Sequence, residues 1–205
     1  GTDYFPRLCA ISDDILKIRK SVYEQAIIGV LLITPIIVVF LALAPIIIKI
    51  LYSKDFLPIL AMISWGILGM LFRLVSWSMG YIIIAKGDSK VFIKTAIGFN
   101  SLQLLLCVLG YTYGGLEGLG FGYLIHFIIH FFIIKLITKY RYDFYFEKGF
   151  FRIFMITILL CTLSFLFTYI QNEALKYILM VILIITSLIF SYRSLDEKMD
   201  IKKLI

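Results

Sequence analysis

Arg73 lies near the middle of an apolar stretch of thirty residues, 56–85. Its guanidinium is a permanent cation with five N–H donors in a planar fork, suited to bidentate capture of phosphate or carboxylate. Exposed to hydrocarbon, such a group costs from about 3 to more than 10 kcal/mol, so it must face protein or water. Gly66, Gly69, Ser76 and Gly80 share its helical face at spacings of three and four. Asn100, Gln103 and Cys107 draw a second polar line, and Gly118, Gly122, His126 and His130 a third, at intervals of four. Arg73, Ser76, Asn100 and Gln103 are therefore candidate substrate-binding residues, with Arg73 as anchor for an anionic group. His126 and His130 are a candidate proton-responsive pair, because imidazole titrates near neutral pH. The competing reading of Arg73 is a structural ion pair with an acid elsewhere in the protein.

Other chemistries find less support. The two histidines have the i, i+4 spacing of a helical zinc pair, but no third ligand or general-base Glu accompanies them, so no metal is expected. The glycines of "GGLEGLGFG" lack a following GK[ST] and a preceding strand, which argues for helix packing over a nucleotide loop. No Ser-His-Asp set, catalytic carboxylate pair or activated cysteine can be assembled from the spacings. Neither catalysis nor a cofactor is expected.

The elements that position these residues are membrane helices. The 205 residues are 61% hydrophobic and only 16% charged, with mean hydropathy +1.00, which excludes a lone soluble domain. Six spans are predicted, at 26–51, 56–85, 91–111, 116–139, 153–170 and 174–192, in an all-α polytopic bundle. Sixteen of the twenty Lys and Arg fall on one side of that arrangement, and only Lys49, Lys54 and Lys176 on the other. The positive-inside rule then places both ends of the chain in the cytoplasm. The net charge of +7 is thus a topology signal, and no nucleic-acid partner is expected.

Three regions follow. Residues 1–25 read as an interfacial amphipathic segment capped by Ser12, 26–140 as a four-helix lobe, and 141–205 as a cytoplasmic loop, two peripheral spans and a tail. Pro35 and Pro45 predict kinks in the first span. On the second, the small and polar stripe through Arg73 should pack on other helices. Ile63, Leu68, Met70, Leu71, Phe72, Leu74, Ile82 and Ile83 should meet lipid. Thr157, Cys161, Ser164 and Thr168 read as a packing face. The start, "GTDYFPRL", reads as the exit from an earlier helix, and the chain as a C-terminal piece of a longer protein.

"FPRL" before the charged segment, "APIIIKILYSKDFLP", the long helix ending "AKGDSK", and "GGLEGLGFGYLI" occur here in order. They resemble the C-terminal half of Wzx-type bacterial polysaccharide flippases, in the multidrug/oligosaccharidyl-lipid/polysaccharide exporter superfamily. "SWSMGYIIIAKG" at Ser76 to Gly87 is most similar to O-antigen translocases. The resemblance covers nearly the whole chain. It implies a lobe like the C-terminal one of the multidrug (MATE) exporters, paired with a first bundle across a central cavity. It implies alternating access in the bacterial inner membrane, and a polyprenyl-diphosphate-linked oligosaccharide as substrate, for O-antigen, lipopolysaccharide or capsule synthesis. The missing N-terminal half would be its partner. A multidrug or lipid II exporter, a membrane glycosyltransferase or polymerase, and a non-transporting assembly subunit are the alternatives.

Overall fold

The computed structural model describes residues 4–51 and 56–199. Expectations falling on 1–3, 52–55 and 200–205, among them the placement of Lys54 and of the last two lysines, lie outside the described residues. Six helices follow in order: α1 (Tyr4–Ala10), α2 (Ile15–Leu51), α3 (Ile59–Ala85), α4 (Ser89–Tyr142), α5 (Lys148–Phe167) and α6 (Glu173–Met199). The last five are long and apolar enough to cross a membrane.

At 54 residues α4 would extend about 81 Å if straight, far beyond a hydrocarbon core of about 30 Å. It doubles back instead at Gly115, whose φ of 57° and ψ of −140° are nearly closed to residues with a Cβ. The outgoing arm, 89–114, and the returning arm, 116–142, run antiparallel. Gly110 meets Gly118, Leu106 meets Gly122, Phe99 meets His130, and Asp88 meets Arg141. Each arm is one span long, so six segments cross. The chain is an all-α, polytopic membrane protein.

Helix α3 is central, with α4 along one side and α2 along the other; α5 and α6 pack mainly on α2. This corrects the lipid-facing assignment on α3. Leu68, Leu71, Ile82 and Ile83 are buried, Phe72 packs edge-on to Phe131 and Phe154, and Leu74 fills the space beside Gly29. Apolar periodicity cannot separate lipid from an apolar protein neighbour, because both solvate such side chains equally well. On α5, Thr157, Cys161 and Ser164 are fully buried, as a packing face requires.

The N-terminal segment also differs from expectation. Residues 15–25 are the opening turns of the span helix itself, with Ile18 and Val22 fully buried, and only α1 stands apart. Asp14, not Ser12, caps α2: its carboxylate accepts from the backbone N–H of Leu16 (3.0 Å) and Lys17 (3.2 Å). The Ser12 carbonyl instead accepts from the Lys86 ammonium. Helix α2 continues through Pro35 and Pro45, with the Thr34 hydroxyl donating to Val30 O at 2.7 Å. Residues 143–147 form the expected loop before α5, but two of its aromatic side chains enter the core. Phe144 and Phe146 are buried, and Phe146 stacks on Phe150 at 3.9 Å, which continues through Phe154 and Phe131 to Phe72.

The Lys- and Arg-rich segments gather at one end of the bundle. Arg141 pairs with Asp88 at 2.5 Å, the Tyr142 hydroxyl donates to the same carboxylate, and Arg19 pairs with Asp143 at 2.6 Å. Asp88 also caps the outgoing arm through Val91 N. The hydrogen bond from Arg141 holds the Asp88 carboxyl below the usual carboxylate range. Its contribution is complete above about pH 3.9 and is lost as pH falls through the lowered value. Hydrogen exchange in the first turn of α4 should therefore accelerate only in strong acid. Asp88→Asn should show that acceleration already at neutral pH.

Ser89, Lys148 and Asn172 are all exposed, the first two at the basic end and Asn172 at the other. Single cysteines there, without the three native ones, test the orientation. An impermeant thiol reagent added outside the cell should modify position 172 but neither 89 nor 148. The reverse pattern would invert the topology.

Candidate functional site

Between α3 and the two arms of α4 lies a cavity of about 670 Å³. All six polar candidates line it: Arg73 and Ser76 from α3, Asn100 and Gln103 from the outgoing arm, and His126 and His130 from the returning arm. The hairpin is what brings them together, since it lays residue 99 against residue 130.

The cavity occupies one half of the bundle. On α3 its wall runs from Arg73 to Ile84, on the outgoing arm from Phe92 to Gln103, and on the returning arm from Tyr123 to Ile134. It therefore extends from mid-bundle towards the basic end. Arg73 is twelve residues from the end of α3, about 18 Å along the axis. In the other half the backbones come into direct contact. Gly110 and Gly118 bring the arms into direct contact, and Gly120 lies against the Met62 backbone of α3. Trp65 adds to these contacts, donating to Glu117 at 3.1 Å and packing on Phe121 and Phe165.

Arg73 has no ion pair among the described residues. Its guanidinium lies 4.2 Å from the centroid of the Trp77 ring and 5.3 Å from that of Phe127, and one nitrogen is 3.9 Å from the Met70 sulfur. Cation–π contacts contribute from about 0.5 to about 2 kcal/mol each. That falls short of the cost of burying the charge in hydrocarbon. The balance must come from water or an anion in the cavity, to which the remaining N–H groups are free to donate.

The imidazoles flank this cation. The Ser76 hydroxyl, fully buried, lies 3.0 Å from the Arg73 carbonyl and 2.8 Å from His130 Nδ1. The His130 ring packs on Phe99 at 4.1 Å and lies 6.0 Å from that of His126. His126 is 3% exposed, and its Nδ1 has no hydrogen-bond partner. Asn100 and Gln103 make no side-chain hydrogen bond to protein among the described residues, and no Asp or Glu lines the cavity. The chamber thus offers donors and one fixed positive charge, with no internal counter-ion.

The expected packing stripe on α3 is divided. Gly69 alone makes a close approach, to Phe127 and the Leu124 backbone, whereas the space beside Gly66 and Gly80 is open. Arg73, Ser76 and Gly80 face the cavity. The aromatic wall of Trp77, Tyr81, Phe99, Tyr123 and Phe127 was not anticipated from the sequence. Trp77 had a signal, sitting one helical turn from Arg73 at i, i+4; the others are indistinguishable by spacing from ordinary core aromatics. No three His, Cys, Asp or Glu side chains among the described residues could together hold a metal ion. Comparison with protein-family models, with curated proteins and with solved structures returns no match to this chain.

Proposed function

We propose that this chain is part of a membrane transporter that moves a polyprenyl-diphosphate-linked oligosaccharide from the inner to the outer leaflet of the bacterial inner membrane. The supporting observation is Arg73: a mid-bundle cation in a chamber without carboxylates, held by aromatic rings and with N–H groups to spare. A diphosphate is the ligand class that a planar fork of donors in a cationic chamber serves best. The sugar and lipid parts of the proposal rest on the resemblance of the "AKGDSK" and "GGLEGLGFGYLI" segments to polysaccharide flippases.

Under this reading the cavity opens to the cytoplasm, where the substrate is made, and the glycine-packed half is the closed outer gate. Only three helical segments line the chamber. A first bundle of the same protein would cover the remaining side. Cells lacking the protein should retain lipid-linked oligosaccharide in the cytoplasmic leaflet while synthesis continues. Normal delivery to the outer leaflet in such cells would overturn the proposal.

A further inference from the structure

We infer that the cavity takes up a proton together with its anionic ligand, and that His130 carries it. The inference rests on the reading of Arg73 as the seat of an oxyanion. Its starting point is one hydroxyl with two neighbours. Ser76 Oγ lies 3.0 Å from the Arg73 carbonyl and 2.8 Å from His130 Nδ1. A carbonyl can only accept; with the hydroxyl proton donated to Arg73 O, Ser76 accepts from His130. In that arrangement His130 carries its proton on Nδ1. In the neutral ring Nε2 is a lone pair, and no protein group takes it among the described residues. A lone pair repels an oxyanion; only the protonated ring presents an Nε2–H to one.

The surroundings make this choice depend on the ligand. The titratable or charged groups that line the cavity with the imidazoles are Arg73 and Tyr81 from α3 and Tyr123 from their own arm; the outgoing arm supplies neutral Thr95, Asn100 and Gln103 as its polar groups. Lys135, further along the returning arm, turns to the Phe151 ring instead. With no carboxylate in the wall, a bound anion is the local source of negative charge that stabilises a protonated imidazole relative to the empty cavity. By linkage, the ligand then binds more tightly when the proton is present. His126 is close enough to share the field, but its unpartnered Nδ1 leaves either tautomer open to it, so a neutral His126 can already donate. The proton comes from water on the loading side and leaves when the anion does, with no covalent step.

The experiment is calorimetric titration of the whole protein in lipid nanodiscs with dimethyl diphosphate, whose two charges do not titrate near neutrality. Buffers of different protonation enthalpy read the protons taken up. The expected result is uptake approaching one proton per ligand, with affinity falling by up to about tenfold per pH unit above the His130 midpoint. His130→Gln should bind with a flat pH profile and no uptake. Ser76→Ala, which frees His130 to move its proton to Nε2, should bind with a weakened pH dependence and serves if the first variant misfolds. Binding without proton uptake, uptake unchanged in His130→Gln, or an unaltered profile in Ser76→Ala would each overturn the inference and leave the anion site standing. Absence of binding at every pH would overturn the anion site and this inference with it.

Discussion

Arg73→Ala should leave the protein folded and at normal abundance in the membrane while transport of lipid-linked oligosaccharide falls by about 10- to 100-fold. That range follows from losing one charge-assisted hydrogen bond, at about 1.5–3 kcal/mol for a bond to a charged group. Folding should survive because no carboxylate pairs with Arg73 among the described residues, and its protein contacts are two aromatic faces and a thioether. Arg73→Lys should keep part of the activity, since the charge remains but the planar two-donor fork is lost. The structural alternative predicts the opposite pattern. If an acid from another part of the protein pairs with Arg73, its removal strands a buried carboxylate and costs about 3–5 kcal/mol of stability. Abundance and transport measured in the same membranes separate the two outcomes. Full transport by well-folded Arg73→Ala would end the anchor assignment.

Gly122→Leu should sharply reduce the amount of folded protein, with an effect larger than that of most single substitutions in the bundle. A Cβ at Gly122 would already sit 2.7 Å from the Leu106 carbonyl oxygen, and that atom belongs to the backbone of the opposite arm. Overpacking ordinarily costs about 1–3 kcal/mol because side chains yield; a helix backbone cannot rotate aside, so the arms would have to part. At Gly118 even a methyl group meets the Gly110 carbonyl, so Gly118→Ala should already lower thermal stability. Gly114→Ala is the matched control, because nothing lies within 4 Å of its Cβ position. Opening the arms would also breach the half of the bundle opposite the cavity. Equal stability of Gly118→Ala and Gly114→Ala would show that the arms do not close there in the membrane.

The membrane class and the crossing count were legible in the amino-acid order. Runs of apolar residues longer than a hydrocarbon core, broken by "AKGDSK" and "YTYGG", admit few other foldings, because a backbone in lipid must satisfy its own hydrogen bonds. The polar candidates were legible for the same reason. Arg73, His126 and His130 stand out because charge and imidazole are costly at that depth, whatever surrounds them.

Which surfaces meet was decided by tertiary packing. Leu71 and Ile82 read as lipid-facing, yet they are buried in protein, since the two environments attract an apolar side chain almost equally. Residues 15–25 look interfacial because one face carries charge, while the other face holds Ile18 and Val22 in the core. The gathering of Arg73, Asn100 and His130 into one chamber depends on a single reversal at Gly115 and on the register that lays Phe99 on His130. Helical periodicity reports which residues share a face of one helix. Two faces become one cavity wall only through the angle and register between helices, which are set by the backbone contacts at Gly110, Gly118 and Gly120.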